Sequence, residues 1–144
     1  MTDTLRALST LVLKDHVALG GLGDAERLLA LALVHATLPP DARLSEREIN
    51  EALKKALAGA ACWLSTDHVE LRRWLVDTGW LTRDGFGHQY HVLPHSALPP
   101  DYRGPARTLA TVSAERWVQA ERARRSDERA ARKARWLERG GAAA

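Results

Sequence analysis

Apolar residues recur along the chain at two different periods, and the change of period marks out its elements. Leu5, Leu8, Val12 and Leu19 fall at mostly helical steps, with Leu11 and Leu13 widening the stripe, which predicts a helix over 3–19. Gly20, Gly21 and Gly23 break it. Asp24 is placed to cap a second helix that reaches about His35 and stops at Leu38-Pro39-Pro40. Leu28, Leu29, Leu31, Leu33 and Val34 make that helix apolar on most sides, as a central core helix should be. Ser45-Glu46-Arg47-Glu48 is a capping box: the serine hydroxyl accepts from the backbone N–H three residues on, and Glu48 reaches back to the N–H of Ser45. The helix behind it turns Ile49, Leu53 and Leu57 inward. After an apolar turn at Ala58–Leu64, Ser65-Thr66-Asp67 opens a third helix with Leu71, Leu75 and Val76 inward and Gly79 as a left-handed cap. The pattern then turns β-prone. Trp80–Arg83 and Gln89–Val92 flank Asp84-Gly85-Phe86-Gly87, a hairpin signal. Pro94, Pro99, Pro100, Gly104 and Pro105 predict a connector over 94–112 instead of an element. Ser113 caps a long Arg/Glu/Ala-rich helix to about Arg139, with Gly140–Ala144 frayed behind it.

Taken in order, residues 24–93 give helix, turn, helix, turn, helix and hairpin, the order of a winged helix-turn-helix. The expected fold class is mostly α with a small β-hairpin. A winged helix-turn-helix domain with an N-terminal accessory helix spans 1–93, the connector 94–112, and a long basic C-terminal helix and tail 113–144. Ser45-Glu-Arg-Glu-Ile-Asn50, then Asp67-x-x-x-Leu71-Arg-Arg-x-Leu-Val-Asp77-x-Gly79-x-Leu81-x-Arg83, then a glycine-aromatic wing ending in Tyr90, resembles one bacterial family. It is domain-of-unknown-function family 2087, a winged-helix-like module that can accompany helix-turn-helix regulators. The resemblance covers about residues 42–92, implies the winged-helix fold and leans towards transcriptional regulation; it brings no catalytic or binding residues with it. Ala58–Leu64 departs from the family pattern as a lengthened apolar turn carrying Cys62 and Trp63.

Composition narrows the function classes. At 144 residues, 45% hydrophobic and 27% charged, the chain can bury a core without a metal or disulfide staple. Its single cysteine excludes an internal disulfide and suits a reducing cytoplasm. With no basic neighbour to lower the thiol pKa, Cys62 is expected as a buried small hydrophobe. The longest apolar run, Leu28–Val34, is far short of the ~20 residues of a membrane span, and the N-terminus does not read as a secretory signal. A soluble cytoplasmic protein with no membrane partner is expected.

Net charge is +3, unevenly spread. Residues 113–144 carry nine Arg or Lys against five acids, whereas residues 41–93 carry seven against eight. The winged-helix segment therefore lacks the basic footprint that phosphate neutralisation favours, and the C-terminal helix supplies it. Candidate nucleic-acid contacts are Arg72 and Arg73 on the third helix, Arg83 and His88 at the wing, and Arg122, Arg124, Arg125, Arg129, Arg132 and Lys133 on the last helix. Each has a plainer alternative. Glu70, Arg73 and Asp77 sit at ladder spacing, Arg83 precedes Asp84, and Glu121 and Glu128 are helical neighbours of the C-terminal arginines. Trp117 is expected to dock on the body, and Trp136 to pack in a homodimer or against nucleic acid.

No enzyme chemistry is expected. His88-x-x-His91-x-x-x-His95 is the nearest approach to a metal site, but Pro94 redirects the chain and His88 and His91 differ by an odd number along a strand. There is no phosphate-binding glycine loop and no nucleophile triad, so neither cofactor nor metal is expected. Three partner readings follow: DNA held by the winged helix and the basic helix, a protein of the transcription or replication machinery held by the near-neutral module, or RNA held by the tail alone.

Overall fold

The computed structural model describes residues 3–86 and 88–140. The expected fraying of Gly141–Ala144 and the wing residue Gly87 lie outside them. The chain runs α1 (Asp3–Val12), α2 (Asp24–Ala36), β1 (Arg43–Ser45), α3 (Glu46–Ala58), α4 (His68–Thr78), β2 (Leu81–Arg83), β3 (Gln89–Val92), α5 (Pro100–Ala110) and α6 (Ala114–Glu138). It is mostly helical with a small three-stranded antiparallel sheet in the order β1-β3-β2. The helix–strand–helix arrangement from α2 to β3 is compatible with a winged helix.

Local chemistry explains most boundaries. At Ser45 both halves of the capping box form: its hydroxyl accepts the Glu48 N–H at 3.1 Å, and the Glu48 carboxylate accepts the Ser45 N–H at 3.0 Å. Asp67 caps α4 by accepting the Glu70 N–H at 2.8 Å. Gly79 closes α4 at φ +95°, where a side chain would be strained. In the hairpin the Asp84 carboxylate accepts the backbone N–H of Phe86 and His88, which holds its carboxyl below the usual range.

Several expectations need correction. α1 stops at Val12, not near residue 19. Beyond it the Val17 N–H donates to Trp63 O and the Ser65 N–H to Val17 O, so this backbone is paired with the lengthened turn and cannot stay helical. Leu19 still reaches the core, from a 3-10 turn at Leu19–Gly21. The cap of α2 is Gly23, and Asp24 and Glu26 occupy the first turn, where carboxylates favour the helix dipole. Cys62 is exposed, because the lengthened turn sends the larger Trp63 inward instead. Trp63 is fully buried, and its indole N–H donates to Ala60 O at 2.9 Å.

The largest correction is α5, which occupies most of the expected connector. Pro100 sits at the start of the helix, where the N–H it lacks has no helical partner anyway. Pro105 removes one internal hydrogen bond, but packing offsets that loss. Ala106 and Leu109 are buried, α5 lies along α2, and the Tyr102 ring stacks on Trp80 at 4.4 Å while its hydroxyl donates to Thr78 O. One core thus runs through the winged-helix elements and out to α1, α5 and the first turns of α6, where Ala114 and Val118 are buried. Among the described residues no helix is long and apolar enough to cross a membrane.

Candidate nucleic-acid interface

The groove between α4 and the wing follows from two periodicities. On α4, Leu71 and Leu75 are buried, which leaves Arg73 and Asp77 on the outer side. On the sheet, Arg83 pairs with Tyr90 and Leu81 with Val92, so Arg83 shares the inner face with three buried side chains and projects towards α4. The resulting cleft of about 280 Å³ is lined by Arg72, Arg73, Val76, Asp77, Arg83 and Tyr90, with Val69 at its edge. The three arginines singled out in the sequence are therefore brought together.

They are not equivalent. Arg72 is already engaged: it donates to the Asn50 carboxamide oxygen, lies 3.4 Å from the Glu46 carboxylate, and holds its guanidinium carbon 5.4 Å from the Tyr90 ring centre. Its side chain is 16% exposed, and its work is to tie α4 to α3 and to the sheet. Arg73 and Arg83 are exposed and make no ion pair or side-chain hydrogen bond among the described residues. The ladder available to Arg73 does not form, since Glu70 accepts from the Thr66 hydroxyl instead. Asp84 is occupied by its own turn and leaves Arg83 alone.

His88 is exposed at the wing, its ring 6.1 Å from that of the exposed Phe86. His91 pairs with Asp41 at 2.6 Å. Among the described residues no group of three or more His, Cys, Asp or Glu side chains is placed to hold a metal ion.

The basic helix divides in two. In its first half Arg122 donates to Val12 O, Lys14 O and the Asp15 carboxylate, and holds the Asp15 carboxyl below its ordinary value. Glu121 is buried; it accepts from Ser9 and from Arg124, which also lowers its pKa, and Arg124 reaches on to Glu128. Arg125 is half-buried, and Trp117 packs on the core as expected. From Ser126 onwards every described residue is exposed, so roughly 20 Å of helix stands clear of the body. Arg129, Arg132 and Lys133 lie on that length without an ion pair among the described residues. Trp136 and Leu137, 50% and 57% exposed, stand near its end. Sequence reasoning missed Asn50, Glu46 and Tyr90 as the partners of Arg72; no periodicity links residues so far apart.

Residues 23–92 match a family described as an uncharacterized protein conserved in bacteria, DUF2087. The match runs from the cap of α2 to the end of β3, and so takes in the core helix upstream of the residues that carried the resemblance. No curated protein and no solved structure matches the chain.

Proposed function

Residues 23–92 belong to the DUF2087 family, and from that premise we propose that the chain is a DNA-binding transcriptional regulator or accessory protein that acts by binding and not by catalysis. The observation that carries this reading is the pair of unpartnered arginines, Arg73 and Arg83, on opposite walls of the groove between α4 and the wing. A helix lying in the major groove offers its outer side chains to base edges and phosphates, and the wing reaches the adjoining backbone. Arg72 and Tyr90 form the floor that keeps both walls in place. The outboard half of α6 adds phosphate contacts that carry no sequence information. Such a role belongs in the cytoplasm.

Fluorescence anisotropy of a labelled DNA duplex over a salt series tests it, using the full chain, the double variant Arg73→Glu/Arg83→Glu, and a chain ending at residue 125. That truncation retains Ala114, Val118 and Glu121, the buried residues of α6. The double variant is expected to bind about a hundredfold more weakly. Unchanged affinity overturns the groove, and binding lost only with the truncation moves the grip to α6. If the full chain binds no duplex at low salt, the second reading takes over, a protein partner seated on α6, which the half-exposed Trp136 and Leu137 favour.

A further inference from the structure

The outer face of α4 carries more than charge. Val69 and Arg73 are the second and sixth residues of the helix, one turn apart, and both are exposed. Val69, 39% exposed, is one of four large apolar side chains left in the open among the described residues. Val76 follows Arg73 by three positions and is half-buried, so along the helix Arg73 stands between two valines, and all three line the groove. Glu70 and Asp77 lie about one turn to either side of Arg73 and are exposed as well. Two carboxylates beside a guanidinium repel a phosphate, but they do not repel the neutral N7 and O6 acceptors on the major-groove edge of guanine. The surroundings of Arg73 therefore favour a base edge over the backbone.

Helix geometry adds the neighbour. Recognition helices read base edges with the residues of their N-terminal half, where Val69 and Arg73 lie. Side chains one turn apart stand about 5–6 Å from each other at Cβ, between one and two base-pair steps of about 3.4 Å. Val69 and Arg73 thus meet neighbouring base pairs. The thymine methyl is the apolar group on the major-groove edges, and an apolar side chain packs on it. We propose, on the DNA-binding reading above, that α4 selects a thymine beside a guanine, with Val69 packed on the thymine methyl group and Arg73 donating two hydrogen bonds to guanine N7 and O6.

Enrichment of bound duplexes from a random-sequence pool by the full chain, followed by sequencing, tests it. The enriched sites are expected to share a thymine and a guanine in neighbouring base pairs. Arg73→Gln is expected to lose the guanine, whereas Arg83→Gln weakens binding and keeps both bases. On one enriched duplex, uracil in place of the thymine removes the methyl group alone and is expected to weaken binding about fourfold. Val69→Ser is expected to bind the two duplexes alike. Replacement of the guanine by 7-deazaguanine, which lacks N7, is expected to weaken binding about tenfold. Enriched sites without that thymine and guanine, or a uracil or 7-deazaguanine duplex bound as tightly as its parent, overturn the proposal and leave DNA binding in place. If no duplex is enriched and none binds at low salt, the DNA-binding reading itself falls, and the base selection with it.

Discussion

The chain carries two basic surfaces built on different principles. In the α4 groove the arginines sit on a scaffold packed from every side: Arg72 is pinned by Asn50, Glu46 and Tyr90, and Arg73 and Arg83 stand on either side of it. On α6 the order is along the helix. Arg122 and Arg124 are spent on docking and on helical ion pairs, whereas Arg129, Arg132 and Lys133 ride on exposed turns and make no ion pair among the described residues. A groove of fixed shape suits recognition, because its walls need no ordering on binding and only the side chains of Arg73 and Arg83 have to be fixed. A projecting helix suits charge, because its side chains can follow a phosphate backbone without a set geometry. In both regions a guanidinium becomes available to a ligand only when the fold has not already supplied its partner.

The double charge reversal at Arg73 and Arg83 is the sharpest way to break this contrast. It should lower duplex affinity about a hundredfold while leaving denaturation unchanged, and a matching loss of stability would show that these arginines hold the fold as Arg72 does. Arg72→Ala should act the other way round. Removal of a half-buried charged donor is expected to cost about 2 kcal/mol of unfolding free energy by urea titration, against less than about 0.5 kcal/mol for Arg73→Ala.

Acidification separates body from projecting helix. The His35 pKa lies below its ordinary 6.5, so the unfolded chain takes up a proton first as pH falls. Stability is fully present above about 6.5 and declines below it, by at most about 1.4 kcal/mol per pH unit, until the folded ring also protonates. Asp15, Glu48, Asp84 and Glu121 are shifted down from carboxylate values, so their contributions are lost only in more acid solution. Hydrogen exchange at pH 5.5 should therefore loosen α2 and β3 and leave residues 126–138, already exposed, as they were. The smallest effect is expected for Arg129→Glu/Arg132→Glu: affinity falls a few-fold, the salt slope falls by roughly 2, and stability stays within about 0.5 kcal/mol. A larger loss than in the groove variant would reverse the roles assigned to the two surfaces.

Much of the scaffold was legible because its signals are closed within one helical turn. Ser45 with Glu48, Asp67 with Glu70, and Gly79 each satisfy backbone groups three or four residues away, so residue type and spacing suffice; Asp84, read as a local partner for Arg83, instead accepts the N–H groups of Phe86 and His88. The outward placement of Arg73 was legible for the same reason, from the inward spacing of Leu71 and Leu75. β1 was not, since three residues are too few to display a period and its partner lies on β3. Nor was α5, whose prolines argue against a helix locally while the stack of Tyr102 on Trp80 and the packing on α2 favour it.

The sequence alone therefore determined the caps at Ser45, Asp67, Gly79 and Ser113 but not that of α2, together with the hairpin, the helices between residues 24 and 78 and the division of charge between residues 41–93 and the C-terminal helix. Tertiary structure alone decided where α1 ends, that Trp63 and not Cys62 turns inward, and that His35 is buried with its ring on Leu93 O. It also decided which arginines remain free. Arg72 finds Asn50 from 22 positions away and Arg122 finds Val12 from 110. A backbone N–H at a helix end must be satisfied nearby, whereas a long cationic side chain takes whatever acceptor the folded chain brings within reach.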